Sequence, residues 1–149
     1  MKKLILLVIA ISASIFLHAQ PPYSKEQQEV QQAVVNMFEA LSSRDSVALK
    51  NRCTADITLY EYGQSWNLDT LISKTITQNT AADFKRTNAF EFIHTGVDKN
   101  TAWVTYRLQS VMTREGKQVT VQWLETVVVA REKNQWKVKH LHSTLLKRS

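Results

Sequence analysis

Apolar residues recur at helical spacing in the first part of the chain and at alternating positions in the second part. One face of a predicted helix over residues 25–41 is apolar, because nonpolar side chains return every three or four positions: Val30, Ala33, Val34, Met37, Phe38 and Leu41. Ser24 and Gln27 have the spacing of a capping box, which predicts where this helix begins. Asp45 and Asn67 are candidate caps of two shorter helices, and a strand over residues 57–62 is predicted between them.

Four long strands are predicted after Arg86, where the period of the apolar positions changes to two. They cover residues 87–97, 101–113, 118–131 and 135–145, and short turns join them. Such short links between long strands predict an antiparallel meander. Helices followed by strands place the chain in the α+β class, with N-terminal helices packed on an antiparallel sheet.

Residues 1–19 have the layout of a secretory signal peptide. Lys2 and Lys3 form a basic start, an apolar run covers residues 4–17, and Ala19 is a small residue at the cleavage point. The run is shorter than the ~20 residues that a membrane-spanning helix needs. We therefore expect a periplasmic or secreted protein in which residues 20–149 form one domain, with no membrane contact after cleavage.

Charge and cysteine content narrow the functional classes. The net charge of +6 includes Lys2 and Lys3, so residues 20–149 carry +4, and their cations are scattered along the chain. Nucleic-acid-binding proteins usually cluster such charges on one face, so we expect no nucleic-acid partner. The single cysteine, Cys53, cannot form an internal disulfide and is predicted to be a buried structural thiol.

Three short motifs follow the order of the predicted elements. The first helix ends Phe38-Glu39-Ala40-Leu41, the first strand reads Leu59-Tyr60-Glu61-Tyr62-Gly63, and the last strand carries Trp136 followed by His140-x-His142. This combination resembles the SnoaL-like group of the nuclear transport factor 2-like superfamily, which has the cystatin-like fold. The closing motif is also similar to that of the association domain of calcium/calmodulin-dependent kinases.

The resemblance implies a fold and a range of functions. Its members have a strongly curved sheet that forms a cone with an internal pocket, helices that close one end, and usually a dimer through the outer sheet face. They include dehydratases, isomerases, polyketide cyclases and non-catalytic binding or assembly modules. The pocket aspartate that the family's enzymes generally use has no match here, since Asp98 falls in a predicted turn.

A row of three polar side chains is predicted on the inner face of the sheet. Alternation points Glu125 inward as the one carboxylate of its face, and it also points His140 and His142 inward on the last strand. If the last two turns are two-residue loops, Glu125 lies opposite both His142 and Tyr106. Directly opposite side chains have Cβ atoms ~4.5–5.5 Å apart, so these three residues are expected to interact.

This row favours proton-transfer chemistry. A buried carboxylate beside a histidine has a tuned proton affinity and can move protons near neutral pH. Glu125 and His142 are therefore the candidate catalytic pair, with Tyr106 as a hydrogen-bond donor to a developing oxyanion. Two alternatives stay open: the three side chains satisfy one another in a polar core, or His140, His142 and Glu125 bind a divalent metal.

A ligand pocket is the leading functional hypothesis. The residues expected to line it are Tyr60, Tyr62, Trp66, Trp123 and His140. We expect an exported domain that binds a small, partly apolar molecule in the sheet cone, with neither a cofactor nor a metal. The alternatives are a lyase or isomerase that uses Glu125 and His142, and a non-catalytic dimeric interaction module.

A homodimer is expected through the outer face of the sheet. This face carries more apolar residues than a solvated surface needs: Trp103, Val111, Leu124, Val128 and Leu141.

Overall fold

The computed structural model describes residues 23–149, so the predicted signal peptide lies outside the described residues. The helices are α1 (Lys25–Ser42), α2 (Ser46–Arg52) and α3 (Leu68–Ile72), and α3 continues into a π-helical turn (Ser73–Thr77). The strands are β1 (Cys53–Glu61), β2 (Gln64–Trp66), β3 (Lys85–Asp98), β4 (Thr101–Arg114), β5 (Lys117–Glu132) and β6 (Gln135–Arg148). The α+β class, with helices packed on one face of the sheet, is confirmed.

Helix α1 forms because its sequence combines a cap with one apolar face. The Ser24 hydroxyl accepts a hydrogen bond from the Gln27 amide at 3.2 Å, and the Gln27 side chain accepts one from the Ser24 amide at 2.8 Å. Val30, Val34 and Met37 are buried against the sheet, as the helical spacing predicts. The predicted caps Asp45 and Asn67 also begin α2 and α3.

The sheet has six strands in the order β2-β1-β6-β5-β4-β3. Strands β3 to β6 form the predicted antiparallel meander. Strand β1 pairs in parallel with β6, so the sheet is mixed rather than purely antiparallel. The sequence could not predict this pairing, because it joins residues about 80 positions apart and leaves no local pattern.

The register of the two C-terminal hairpins decides which side chains face the helices. The β4–β5 pairing is as predicted, and Tyr106 lies directly opposite Glu125. The β5–β6 pairing begins in the predicted register with Val129 opposite Val138, but a bulge then shifts it by one residue. Glu125 therefore lies opposite Ser143, and the prediction that it lies opposite His142 is wrong.

The bulge also exchanges the faces of the residues that follow it. Val138 and Leu141, three positions apart, are both buried, whereas a regular strand would place them on opposite faces. His140 and His142 consequently point to the outer face, and Leu141 is part of the core. The prediction of inward histidines and of an outer-face Leu141 is wrong for this one reason.

Within the part of the chain that the structure describes, no helix is both long enough and apolar enough to cross a membrane.

Candidate functional site

A cavity of about 540 Å³ lies between the helices and the inner face of the sheet. Its apolar wall includes Met37, Phe38, Leu59, Leu71, Val119 and Trp123. This volume falls within the range of ligand pockets in proteins, which are mostly apolar with a few polar groups. The cavity forms because α1 and α3 cover the inner face of the sheet without filling it.

The structure separates the predicted ligand residues into two groups. Tyr62, Trp66 and Trp123 line the cavity, together with Glu125. Tyr60 and His140 lie on the opposite face of the sheet, so their assignment to the pocket is wrong.

The outer-face group forms its own aromatic cluster. The ring of Tyr60 lies 5.1 Å from that of His140 and 5.9 Å from that of His142, both edge-on. The Thr58 hydroxyl is 2.7 Å from Nδ1 of His140. The pattern of alternation predicted that His140-x-His142 faces the pocket. It did not reveal the bulge that turns both rings outward.

Glu125 is a buried carboxyl group beneath the cavity. It is 3% exposed, and the Ser143 hydroxyl donates a hydrogen bond to its Oε1 at 2.9 Å. Burial raises the pKa of Glu125, and the Tyr106 and Ser143 hydroxyls together with the charge of Arg86 oppose that shift. Tyr106 is near enough to influence this pKa, but within residues 23–149 neither its hydroxyl nor Oε2 of Glu125 has a partner with hydrogen-bond geometry. Both atoms are buried, and of the two residues only Glu125 lines the cavity.

Glu61, the last residue of β1, is a second carboxyl group in the cavity. It lines the same space as Glu125. Burial and then the charge of Glu125 raise the pKa of Glu61 to about 7. Glu61 was not among the pocket residues predicted from the sequence. Its position in the strand indicated an inward side chain. Ile57, Leu59 and Glu61 are alternate residues of one strand and share a face, and the first two are core residues.

Arg86 is a half-buried cation on the wall of the cavity. Its Nε donates to Oδ1 of Asn88 at 2.9 Å, and its terminal nitrogen donates to the Ser110 hydroxyl at 3.0 Å. The guanidinium lies over the rings of Phe38 at 5.3 Å and Trp123 at 5.9 Å. Burial lowers the pKa of Arg86 and the nearby Glu125 opposes that shift, but a guanidinium remains protonated at any physiological pH.

The network around Arg86 fixes its position between the two rings. The Ser110 hydroxyl donates to Oδ1 of Asn88 at 2.6 Å, and the Asn88 amide donates to the Ser42 hydroxyl at 2.9 Å. In the described residues Arg86 forms no ion pair with either carboxyl group. Arg86 was not among the site residues predicted from the sequence. The alternation of Arg86, Asn88 and Phe90 on β3 was the signal of an inward face.

The metal site considered from the sequence is not formed. His140 and His142 lie on the outer face, and Glu125 lies on the inner face. Among residues 23–149 there is no group of three or more histidine, cysteine, aspartate or glutamate side chains placed to hold a metal ion.

This arrangement is suited to hydrogen bonding and proton transfer in an apolar enclosure. Two neighbouring carboxyl groups disfavour double ionisation, so one of them is protonated near neutral pH. A protonated carboxyl group that lines the cavity can donate a hydrogen bond to an oxygen of a bound molecule. An ionised carboxylate beside them accepts a proton.

Comparison with known proteins identifies the family and the fold of this chain. The SnoaL-like domain family matches residues 30–146. No curated protein matches the chain. A ketosteroid isomerase-like protein from Erwinia carotovora atroseptica has 14% identity and a TM-score of 0.68, covering 84% of this chain and 99% of that one.

Two further solved structures share the fold. An NTF2-like protein from Cytophaga hutchinsonii has 12% identity and a TM-score of 0.70, covering 83% of this chain and 100% of that one. The CamKII hub homology domain from Chlamydamonas reinhardtii has 20% identity and a TM-score of 0.68, covering 82% and 99%. The likeness to these structures concerns the fold, whereas the family match covers most of the chain. The resemblance found in the sequence is confirmed, and the chain belongs to the SnoaL-like domain family of the NTF2-like superfamily.

Proposed function

We propose that this domain binds a small, partly apolar molecule in the cavity between its helices and its sheet. The observation that carries the proposal is the cavity of about 540 Å³ itself, whose apolar wall is interrupted by three polar groups, Glu61, Arg86 and Glu125. Within residues 23–149 Oε2 of Glu125 has no hydrogen-bond partner. An unpaired buried polar atom costs ~1–3 kcal/mol, and a ligand group that pairs with it removes that cost.

The polar groups define which ligand fits. A protonated carboxyl group donates a hydrogen bond, and Arg86 adds a fixed positive charge, so the site favours an oxygen acceptor such as a carbonyl or hydroxyl group. The rings of Trp66 and Trp123 favour a flat or aliphatic body next to that oxygen.

Native mass spectrometry of the protein purified from its own host tests the binding proposal. We expect a retained small molecule whose occupancy falls in the Trp66→Ala variant. Tyr60→Ala is the matched control, because it removes an aromatic residue from the outer face of the same sheet and leaves the cavity unchanged. Equal occupancy in both variants, or binding unaffected by Glu125→Gln, contradicts the proposal.

An acid–base enzyme of the lyase or isomerase type is a second candidate. The pKa of about 7 at Glu61 supports it, because a general base works best when its pKa lies near the working pH. Glu61 takes a proton from carbon in this scheme, and Glu125, supported by Tyr106 on the neighbouring strand, stabilises the oxygen that gains negative charge. His142, which the sequence favoured, has no part in it because its ring lies on the outer face.

Proton exchange distinguishes the enzyme from the binding domain. The retained ligand, or a ketone probe such as 2-indanone, is incubated with the protein in D₂O, and deuterium incorporation is measured. We expect Glu61→Gln to lower the exchange rate ~100-fold or more while ligand binding persists. His142→Gln should have no effect. Binding without protein-dependent exchange leaves the non-catalytic function.

We also propose that the domain is exported and dimeric. The layout of residues 1–19 supports export, and N-terminal sequencing of the soluble exported protein should begin at Gln20.

Trp103 and Leu124, which are 40% and 36% exposed on the outer sheet face, support a dimer through that face. Light scattering should give a dimer mass that shifts toward monomer in Leu124→Glu, and a monomer at tens of micromolar overturns the assembly.

A further inference from the structure

We infer that the ligand is an amphipathic anion whose charged end lies at the mouth of the cavity and whose apolar body extends inward. This inference deepens the proposed function and rests on it. It follows from the charges that line the cavity, which differ between the mouth and the interior.

The mouth of the cavity is cationic. Four exposed basic side chains line it, namely Lys74, Arg114, Lys117 and Arg148, against one exposed carboxylate, Glu115. Within residues 23–149 none of the four cations forms an ion pair. The cations outnumber the carboxylates here, so an approaching anion meets a net positive charge.

The hairpin between β4 and β5 holds two of these cations in place. Arg114 and Lys117 are directly opposite each other at the turn. The Asp83 carboxylate accepts hydrogen bonds from the turn amides of Glu115 at 2.8 Å and Gly116 at 2.7 Å. These bonds anchor the turn and occupy both oxygens of Asp83. Asp83 is thus the second carboxylate near the mouth, after Glu115.

The third cation connects the mouth to the apolar wall. The Lys74 ammonium lies over the Trp66 ring, 5.3 Å from its centroid. Trp66 lines the cavity, so a ligand that packs on this ring brings its charged end close to Lys74. This geometry suits a molecule with an apolar part directly attached to an acidic group.

The interior lacks the excess of positive charge that the mouth has. Glu61 and Glu125 share the cavity with a single cation, Arg86, so an anion gains less there than at the mouth. The side chains around them, including Phe38, Leu59 and Trp123, favour an uncharged body. The anionic end therefore stays at the mouth. A cationic ligand of the same shape meets repulsion there.

A pair of fluorescent dyes tests the inference on the full chain. 8-Anilinonaphthalene-1-sulfonate and N-phenyl-1-naphthylamine share one apolar body and differ in the sulfonate. We expect the anionic dye to bind at least about fivefold tighter at low salt, and this advantage to shrink as the ionic strength rises.

Charge-removing variants locate the effect. Arg114→Gln combined with Lys117→Gln should weaken binding of the anionic dye about fivefold and leave the neutral dye unchanged. Lys99→Gln combined with Lys133→Gln is the control, because it removes the same charge at the opposite end of the sheet. Circular dichroism confirms that each variant is folded.

The outcomes separate this inference from the proposed function. Both dyes should lose binding in Met112→Trp, which fills the cavity just inside the Arg114–Lys117 pair. If both dyes bind equally and Met112→Trp displaces both, the pocket stands and the preference for an anion is overturned. If neither dye responds to Met112→Trp, both the pocket and the inference are overturned.

Discussion

Glu125 stays buried because hydroxyl groups and a distant cation replace part of the hydration that it loses. Ser143 donates to one of its oxygens, and Tyr106 lies directly opposite on the neighbouring strand. A buried carboxyl group without such neighbours would lose several kilocalories per mole of solvation. The stability of this buried carboxyl group therefore depends on which side chain of β6 lies opposite Glu125.

A thermodynamic cycle tests that contact. Ser143→Ala removes the donor to Glu125 and should lower the free energy of unfolding by ~1–2 kcal/mol. The double variant with Glu125→Gln should lose less than the sum of the single changes, with a coupling of at least ~0.5 kcal/mol. Urea unfolding at pH 7 measures all four proteins.

The matched cycle uses His142, the neighbour of Ser143 on the outer face. His142→Gln and Glu125→Gln should be additive within ~0.3–0.5 kcal/mol, because their side chains point to opposite faces of the sheet. Coupling to His142 instead of Ser143 would mean that the strand has no bulge and that the predicted register holds.

Glu61 gives the site a measurable pH dependence. Its pKa is about 7 in the folded protein, against an ordinary value of 4.5. The folded protein therefore binds this proton more tightly than the unfolded chain does. The contribution of Glu61 to stability is complete below pH 4.5 and is lost as the pH rises to about 7.

Comparison with Glu61→Gln isolates this contribution. Between pH 4.5 and pH 8, the free energy of unfolding of the natural protein should fall by ~1–3 kcal/mol relative to the variant. Urea unfolding across this range measures the difference. A constant difference would mean that Glu61 titrates as a solvated carboxylate.

At the scale of the element, Gly96 shows how one strand position depends on its cross-strand partner. Gly96 lies directly opposite Trp103, and a Cβ at Gly96 would overlap the Trp103 indole. The Trp103 indole thus lies over the backbone of Gly96, where no side chain projects from the sheet. Alanine normally suits a strand better than glycine does, but here it must displace the indole.

Gly96→Ala should therefore destabilise the protein by ~1–3 kcal/mol, the usual cost of overpacking. The same substitution in a Trp103→Leu background should be neutral or stabilising, because the smaller side chain leaves room for the new methyl group. Urea unfolding of the four proteins measures the coupling. A destabilisation that is equal in both backgrounds would show that the indole does not rest on Gly96.

Local patterns predicted most elements because local physics forms them. The capping box of Ser24, the cap of Asn67 and the alternation on β4 and β5 need no distant partner. The turn at Glu115-Gly116 set one register correctly, with both turn residues at positive φ, as two-residue hairpins require. The short strand β2 was not predicted, because the three residues Gln64–Trp66 are too few to show an alternation of apolar and polar positions.

The site was harder to predict than the elements, because it depends on irregular and non-local features. The bulge in β6 has no glycine to mark it, and Lys137 and Lys139 continue a regular alternation up to it. The spacing of Val138 and Leu141 was the one available signal. Glu61 enters the site only through the parallel pairing of β1 with β6, which no local pattern encodes.

For the whole molecule, one continuous core joins the helices to the sheet. Leu49 of α2, Cys53 at the start of β1 and Val138 of β6 are all buried within it. Cys53 is thus a buried structural thiol, as the sequence predicted, and it is the first residue of β1. Burial raises the pKa of the Cys53 thiol to about 12.

Cys53 can therefore report on the opening of the core, because it is the single cysteine of the chain. We expect its reaction with a disulfide reagent at pH 8 to be at least ~10³-fold slower in the folded protein than in urea. Across subdenaturing urea, the free energy of exposure should follow the slope of global unfolding.

A control moves the thiol to the surface of the neighbouring helix. Val47 is 69% exposed on α2, so Cys53→Ser combined with Val47→Cys should react at the rate of an unfolded thiol without any urea. If Cys53 itself reacted nearly as fast, the junction of α2 and β1 would open locally and frequently. The helical layer would then be separable from the sheet, and the cavity beneath it would have a second route to solvent.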